Sequence, residues 1–181
     1  MTPAAMSQGR RSTARGDGLD FVGRLAANIL SSLLPKDLVS VIAFAAEPKV
    51  MLPLTPYGQL ETELSVPTLA RGGTVLEPAF ALALETLDGS QLSQKFVVLV
   101  SDGDFADRDK IAEMVRTAKE RGVVVIAVGV GETPRMTLLE TLASGTSGVA
   151  LSAKQSKPNL VFERSQLSGD NPSLGLSLIH I

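Results

Sequence analysis

The sequence predicts an α/β fold, a doubly wound and mostly parallel sheet flanked by helices. Two runs, Phe96 to Val100 and Val123 to Val128, are apolar without alternation, as strands are when both their faces are buried. Amphipathic stretches lie between and around them, with apolar residues three and four apart. Strands of this kind alternating with such helices form parallel sheets covered on each side. The 181 residues amount to one domain with a single substantial core.

The elements follow in order. Val22, Leu25, Ala26, Ile29 and Leu33 make one helix face over Leu19 to Leu34, and Pro35 ends it. Val39 to Ala45 and Val50 to Leu54 are short, partly β-branched runs parted by Ala46-Glu47-Pro48, which predicts neighbouring antiparallel strands. Thr55 to Arg71 has no clean period. Leu76, Ala79, Phe80, Ala83, Leu84 and Leu87 then mark a helix, and Ile111, Val115 and Ala118 a second one stopped by Gly122. Thr133-Pro134 reads as a helix start, with proline at its first position, followed by Leu138, Leu139 and Leu142. Gly148 to Leu151 is a short last strand. Residues 1–16 read as a disordered lead-in, 17–153 as the domain, and 154–181 as a flexible or truncated tail, including the apolar Leu174 to Ile181.

Composition excludes several functions. A net charge of -2 without a basic stripe gives no case for nucleic acid. The chain has no cysteine, so disulfides, thiolate metal sites and cysteine nucleophiles are all absent. No apolar run reaches the roughly 18 residues of a membrane span. The arginines near Met1 have no apolar segment behind them, so the start is not a signal peptide. His180, the one histidine, makes neither a triad nor a metal cluster alone. Arg15-Gly16-Asp17 spells an integrin-recognition tripeptide; chance in a polar segment explains it, and Asp17 suits a helix N-cap. Gly129-x-Gly131 lacks the third glycine of a dinucleotide-binding loop.

In a doubly wound sheet, ligands bind just beyond the carboxyl ends of the strands, which narrows the search to a few loops. Lys95 to Asp104 is a buried strand that ends in Ser101-Asp102-Gly103-Asp104. Asp102 is the functional candidate there, because Asp107 or Asp109 is better placed to cap the helix that follows. The other loop is Arg71-Gly72-Gly73-Thr74-Val75-Leu76-Glu77. Thr74 with Glu77 has the spacing of a capping box; the same hydroxyl, after two glycines that let backbone come close, could instead face a cation.

Phe44-Ala45-Ala46-Glu47, Gly72-Gly73-Thr74, Ser101-Asp102-Gly103 and Ala127-Val128-Gly129-Val130-Gly131 resemble, in that order, von Willebrand factor type A domains. The likeness spans roughly Leu19 to Leu151 and is greatest to the Bat-type proteins of bacterial aerotolerance operons. It implies a non-enzymatic protein-interaction module that binds a partner's acidic group through a divalent cation, usually Mg²⁺. By the same likeness Thr74 is the second-loop ligand and Asp102 the third-loop acidic residue. It also implies an intact protein anchored in a bacterial inner membrane, with this domain in the periplasm. The family's first ligand segment, Asp-x-Ser-x-Ser after a first and central strand, has no counterpart before Leu19. The chain is therefore expected to lack that strand, to be a fragment with an opened core, and to bind Mg²⁺ weakly or not at all, since two groups do not hold it tightly.

Two other readings stand beside this one. The first is a type A-like scaffold that interacts without metal. The second is a phosphatase, because Asp102-Gly103-Asp104 resembles the nucleophile loop of haloacid dehalogenase-like enzymes, with Asp102 attacking phosphorus and Asp104 as acid/base. That family's further acidic pair is missing: beyond Asp109 the only Asp is Asp170.

Overall fold

A computed structural model describes residues 33–44, 47–60, 75–88, 92–130, 133–152 and 174–180. Strands β1 (Leu38–Phe44) and β2 (Pro48–Pro56) come first, then helix α1 (Glu77–Asp88) and strand β3 (Gln94–Ser101). Helix α2 (Ile111–Glu120), β4 (Val123–Gly129), α3 (Met136–Ser144), β5 (Ala150–Ser152) and β6 (Leu174–His180) follow. Among the described residues, one sheet contains six strands in the order β2-β1-β6-β3-β4-β5. Only the β1–β2 pair is antiparallel; the other pairs are parallel. The expected α/β sheet is present.

The sheet is apolar on both faces, as the unalternating strands require. Ile42, Phe44, Val97, Leu99, Val125, Ala127 and Ile179 point to one face. There they pack with Phe80, Leu84 and Leu87 of α1, Ile111, Met114 and Ala118 of α2, and Leu139 and Leu142 of α3. Val39, Val41, Val98, Val100, Ile126, Val128, Leu176 and Leu178 form the second layer together with Leu33. Apart from Leu33 and Leu34, the helix expected over Leu19 to Leu34 lies outside the described residues. So does the lead-in of residues 1–16.

The centre of the sheet departs from expectation. Leu174 to Ile181 reads in sequence as part of a flexible or cut tail, yet Leu174–His180 is the middle strand. It runs parallel to both neighbours, with Ser177 opposite Ser40 of β1 and Val97 of β3. Among the described residues no strand precedes Leu38, so the slot expected to stand open between β1 and β3 is closed by this segment. The physical reason lies in its pattern. Leu176 and Leu178 serve one apolar layer, Ile179 the other, and backbone pairing on both sides satisfies edges that would otherwise be exposed. Ser177 is fully buried, and its hydroxyl meets that of Ser40 at 3.0 Å, so neither polar group is stranded.

Two boundaries move. Helix α2 ends as expected, with Gly122 at φ +66° and its amide on the Lys119 carbonyl at 3.1 Å. Helix α3 begins at Met136, later than Thr133-Pro134 suggested. The Arg135 amide, just ahead of the helix, is donated to the Asp102 carbonyl at 2.7 Å.

Candidate functional site

Because β1, β6, β3 and β4 run parallel, Phe44, His180, Ser101 and Gly129 end along one edge of the sheet. The loop after β3 dominates that edge among the described residues. It alternates inward and outward: Ser101, Gly103, Phe105 and Asp107 are buried, whereas Asp102, Asp104 and Ala106 are exposed. Phe105 is 1% exposed and belongs to the core below α1. The loop is thus nailed down by an aromatic ring, and Asp102 projects from a fixed base.

Backbone bonds fix the base further. The Ser101 hydroxyl accepts the Gly103 amide at 3.0 Å, and the Ser101 carbonyl accepts the Val130 amide at 3.0 Å. Gly103 takes φ +79° and passes so close to the next loop that a Cβ there would lie 2.5 Å from the Arg135 carbonyl oxygen. Asp102 Oδ1 accepts the Asp104 amide at 2.9 Å, a local turn that orients the carboxylate. Among the described residues, Asp102 Oδ2 has no hydrogen-bond partner.

Asp104 is differently placed. Its Oδ1 lies 3.1 Å from Arg108 Nη2 and 3.5 Å from Arg135 Nε. Two guanidinium groups therefore claim the carboxylate that a phosphatase would use as its acid/base.

Asp107 does not cap the helix that follows it, as the sequence suggested. It precedes the short 3₁₀ turn Arg108–Lys110 and makes no capping bond to it. Its Oδ1 accepts the Leu76 amide at 3.0 Å and its Oδ2 the Glu77 amide at 2.7 Å. Asp107 thus caps α1, across 30 residues of chain. Glu77 is the first residue of α1, not the third as a capping box on Thr74 requires, and its carboxylate binds Lys110. Thr74 itself, with Gly72 and Gly73, lies outside the described residues. The sequence signal for Asp107 was an acidic residue beside a helix start; which helix it served depends on a contact between distant segments.

Mg²⁺ prefers hard oxygen donors in octahedral geometry and keeps several waters. Asp102 offers one such oxygen. Among the described residues no three His, Cys, Asp or Glu side chains converge to hold a metal. The described donors match the ion in kind and fall short in number.

The family model for the von Willebrand factor type A domain matches residues 12–162. The chain belongs to that family. Solved structures carry the same fold at low identity. An aerotolerance-related membrane protein from Bacteroides fragilis matches with TM-score 0.63 and 17% identity, covering 78% of this chain and 82% of that one. A von Willebrand factor type A protein from Catenulispora acidiphila matches with TM-score 0.59 and 17% identity, over 79% of this chain and 35% of the other. The type A domain of SpRpn10 matches with TM-score 0.52 and 15% identity, over 92% and 75%. No curated protein matches significantly. Type A domains are in general non-enzymatic modules for protein interaction, and among the described residues no helix is long and apolar enough to cross a membrane.

Proposed function

We propose that this chain is a protein-interaction module whose binding face is the carboxyl edge of the sheet, centred on Asp102. A divalent cation meets that face weakly, through Asp102 with Thr74 as the second ligand, and an acidic group of a protein partner completes its coordination. The observation that supports this reading is the presentation of Asp102. It is exposed at the end of a buried strand, held by backbone bonds on both sides, and keeps one oxygen uncommitted among the described residues. A preorganised carboxylate binds a cation without first being ordered. One carboxylate and one hydroxyl are too few donors for tight Mg²⁺ binding.

Titration with Mg²⁺ followed by amide NMR tests the proposal. The expected result is a weak, saturable perturbation confined to Ser101 through Asp104 and the Thr74 loop, and abolished by Asp102→Asn. Micromolar affinity by calorimetry would overturn the weak-site reading. Absence of any perturbation would overturn the cation altogether and leave an interaction scaffold that works without metal. The hold of Arg108 and Arg135 on Asp104, the acid/base candidate of a phosphatase, speaks for an interaction module over that enzyme.

The likeness to an aerotolerance-related membrane protein supports a place in the bacterial envelope, with the intact protein anchored in the inner membrane and this domain in the periplasm. Fractionation of cells expressing the native gene tests it; recovery in the cytosolic fraction would reject it.

A further inference from the structure

We infer that Arg135, with Arg108 beside it, is the receptor for an acidic side chain of the partner, and that it takes this carboxylate without a cation. The inference rests on the reading of the carboxyl edge as the binding face. The Arg135 amide donates to the Asp102 carbonyl at 2.7 Å. The Arg135 carbonyl oxygen is the atom that leaves no room for a Cβ on Gly103. The main chain that carries this guanidinium is thus fixed against the loop that displays Asp102.

The two guanidinium groups are gathered but not spent. Both approach Asp104 Oδ1, Arg108 through Nη2 at 3.1 Å and Arg135 through Nε at 3.5 Å. Neither pair is bidentate, the geometry in which arginine binds a carboxylate most strongly, and 3.5 Å is longer than an ordinary hydrogen bond. Arg108 also donates Nε to the Phe105 carbonyl at 3.0 Å, which leaves it one outer nitrogen, Nη1. Arg135 keeps both Nη1 and Nη2 without a partner among the described residues, and more than half of its side chain is exposed. That planar fork matches the two oxygens of an incoming carboxylate. Exposed ion pairs are weak, so a partner's carboxylate draws Arg135 from Asp104 with little loss.

Asp104 offsets one of the two positive charges and holds the arginines together. Asp102 supplies a second negative charge, so the four side chains sum to zero. The edge is therefore directional: it suits a single carboxylate over Arg135 and gives a polyanion no general attraction.

NMR of the backbone amides and arginine side chains, on the whole chain in EDTA, tests this by titration with an acetylated, amidated tripeptide with a central glutamate. The expected result is a saturable shift of the Arg135 Nε–H signal and of the Asp102, Gly103 and Asp104 amides. The glutamine version of the peptide, at equal ionic strength, is expected to shift neither. Arg135→Gln leaves the main-chain contacts in place and is expected to weaken binding about tenfold or more. Arg135→Lys keeps the charge without the fork and is expected to fall between. Arg121→Gln, which breaks the pair with Asp88 at the other end of the sheet, is expected to leave binding unchanged. Shifts at Asp102 to Asp104 that need Mg²⁺, or that survive Arg135→Gln, would overturn the arginine receptor and leave the binding face standing. A response only away from this edge, or none with or without Mg²⁺, would remove the face itself and the inference with it.

Discussion

Gly103 and Arg135 touch backbone to backbone: a Cβ on Gly103 would meet the Arg135 carbonyl oxygen at 2.5 Å, and Gly103 already takes φ +79°. The loop that displays Asp102 is thus moulded against the loop that leads into α3. Gly103→Ala is expected to cost about 2–4 kcal/mol, the sum of left-handed backbone strain and the overlap. Gly122, also at positive φ but with nothing within 4 Å of its Cβ position, provides the comparison. Gly122→Ala is expected to cost about 1 kcal/mol. Urea denaturation of both variants checks this, and equal costs would show that the Gly103–Arg135 contact is not tight.

The buried hydroxyls of Ser40 and Ser177 satisfy one another at 3.0 Å. Either single change to alanine leaves a buried hydroxyl without its partner, at a cost of about 1–3 kcal/mol. The double variant is expected to cost clearly less than the sum of the two. A coupling of zero in this double-mutant cycle would mean that the residues do not meet, and would remove β6 from beside β1.

Deleting residues 174–181 strips β1 and β3 of their shared neighbour and uncovers Leu176, Leu178 and Ile179 sites in both layers. The shortened chain is expected to lose its cooperative thermal transition and to bind hydrophobic dyes. A sharp melt near that of the full chain would show that this strand adds little.

Lys110 titrates above its ordinary 10.5, because the hydrogen bond to Glu77 and the charge of that carboxylate favour the protonated amine. A folded pKa above the unfolded one means that the contribution is complete below 10.5 and fades as pH rises through the folded value. Lys110→Met is expected to flatten that part of the alkaline stability profile and to change little at neutral pH, since the pair is exposed. Urea midpoints measured from neutral to strongly alkaline pH check this. An unchanged alkaline slope would sink it.

The site was half legible in the sequence. Asp102 stood out because a strand apolar on both faces must deliver its next residues to the sheet's ligand edge, and Gly103 after it marks a turn. Arg135 and Phe105 gave no comparable signal. Their roles, as a close neighbour and an anchor of the same loop, come from packing between segments that periodicity does not connect.

What the sequence alone determined is local or periodic: β3 and β4 from unbroken apolar runs, α1 and α2 from three-and-four spacing, the stop at Gly122, and the order of motifs that marks the type A family. Those signals are written within about a dozen residues and survive without knowledge of the partner. Tertiary structure decided the rest. Leu174–His180 became the central strand because two apolar layers and two unpaired strand edges met one apolar segment, joining Ser177 to Ser40 across 137 residues. Asp107 serves α1 for the same kind of reason: its carboxylate is satisfied by amides 30 and 31 positions away. Hydrogen-bond demand is local, but which distant group meets it depends on how the whole chain packs.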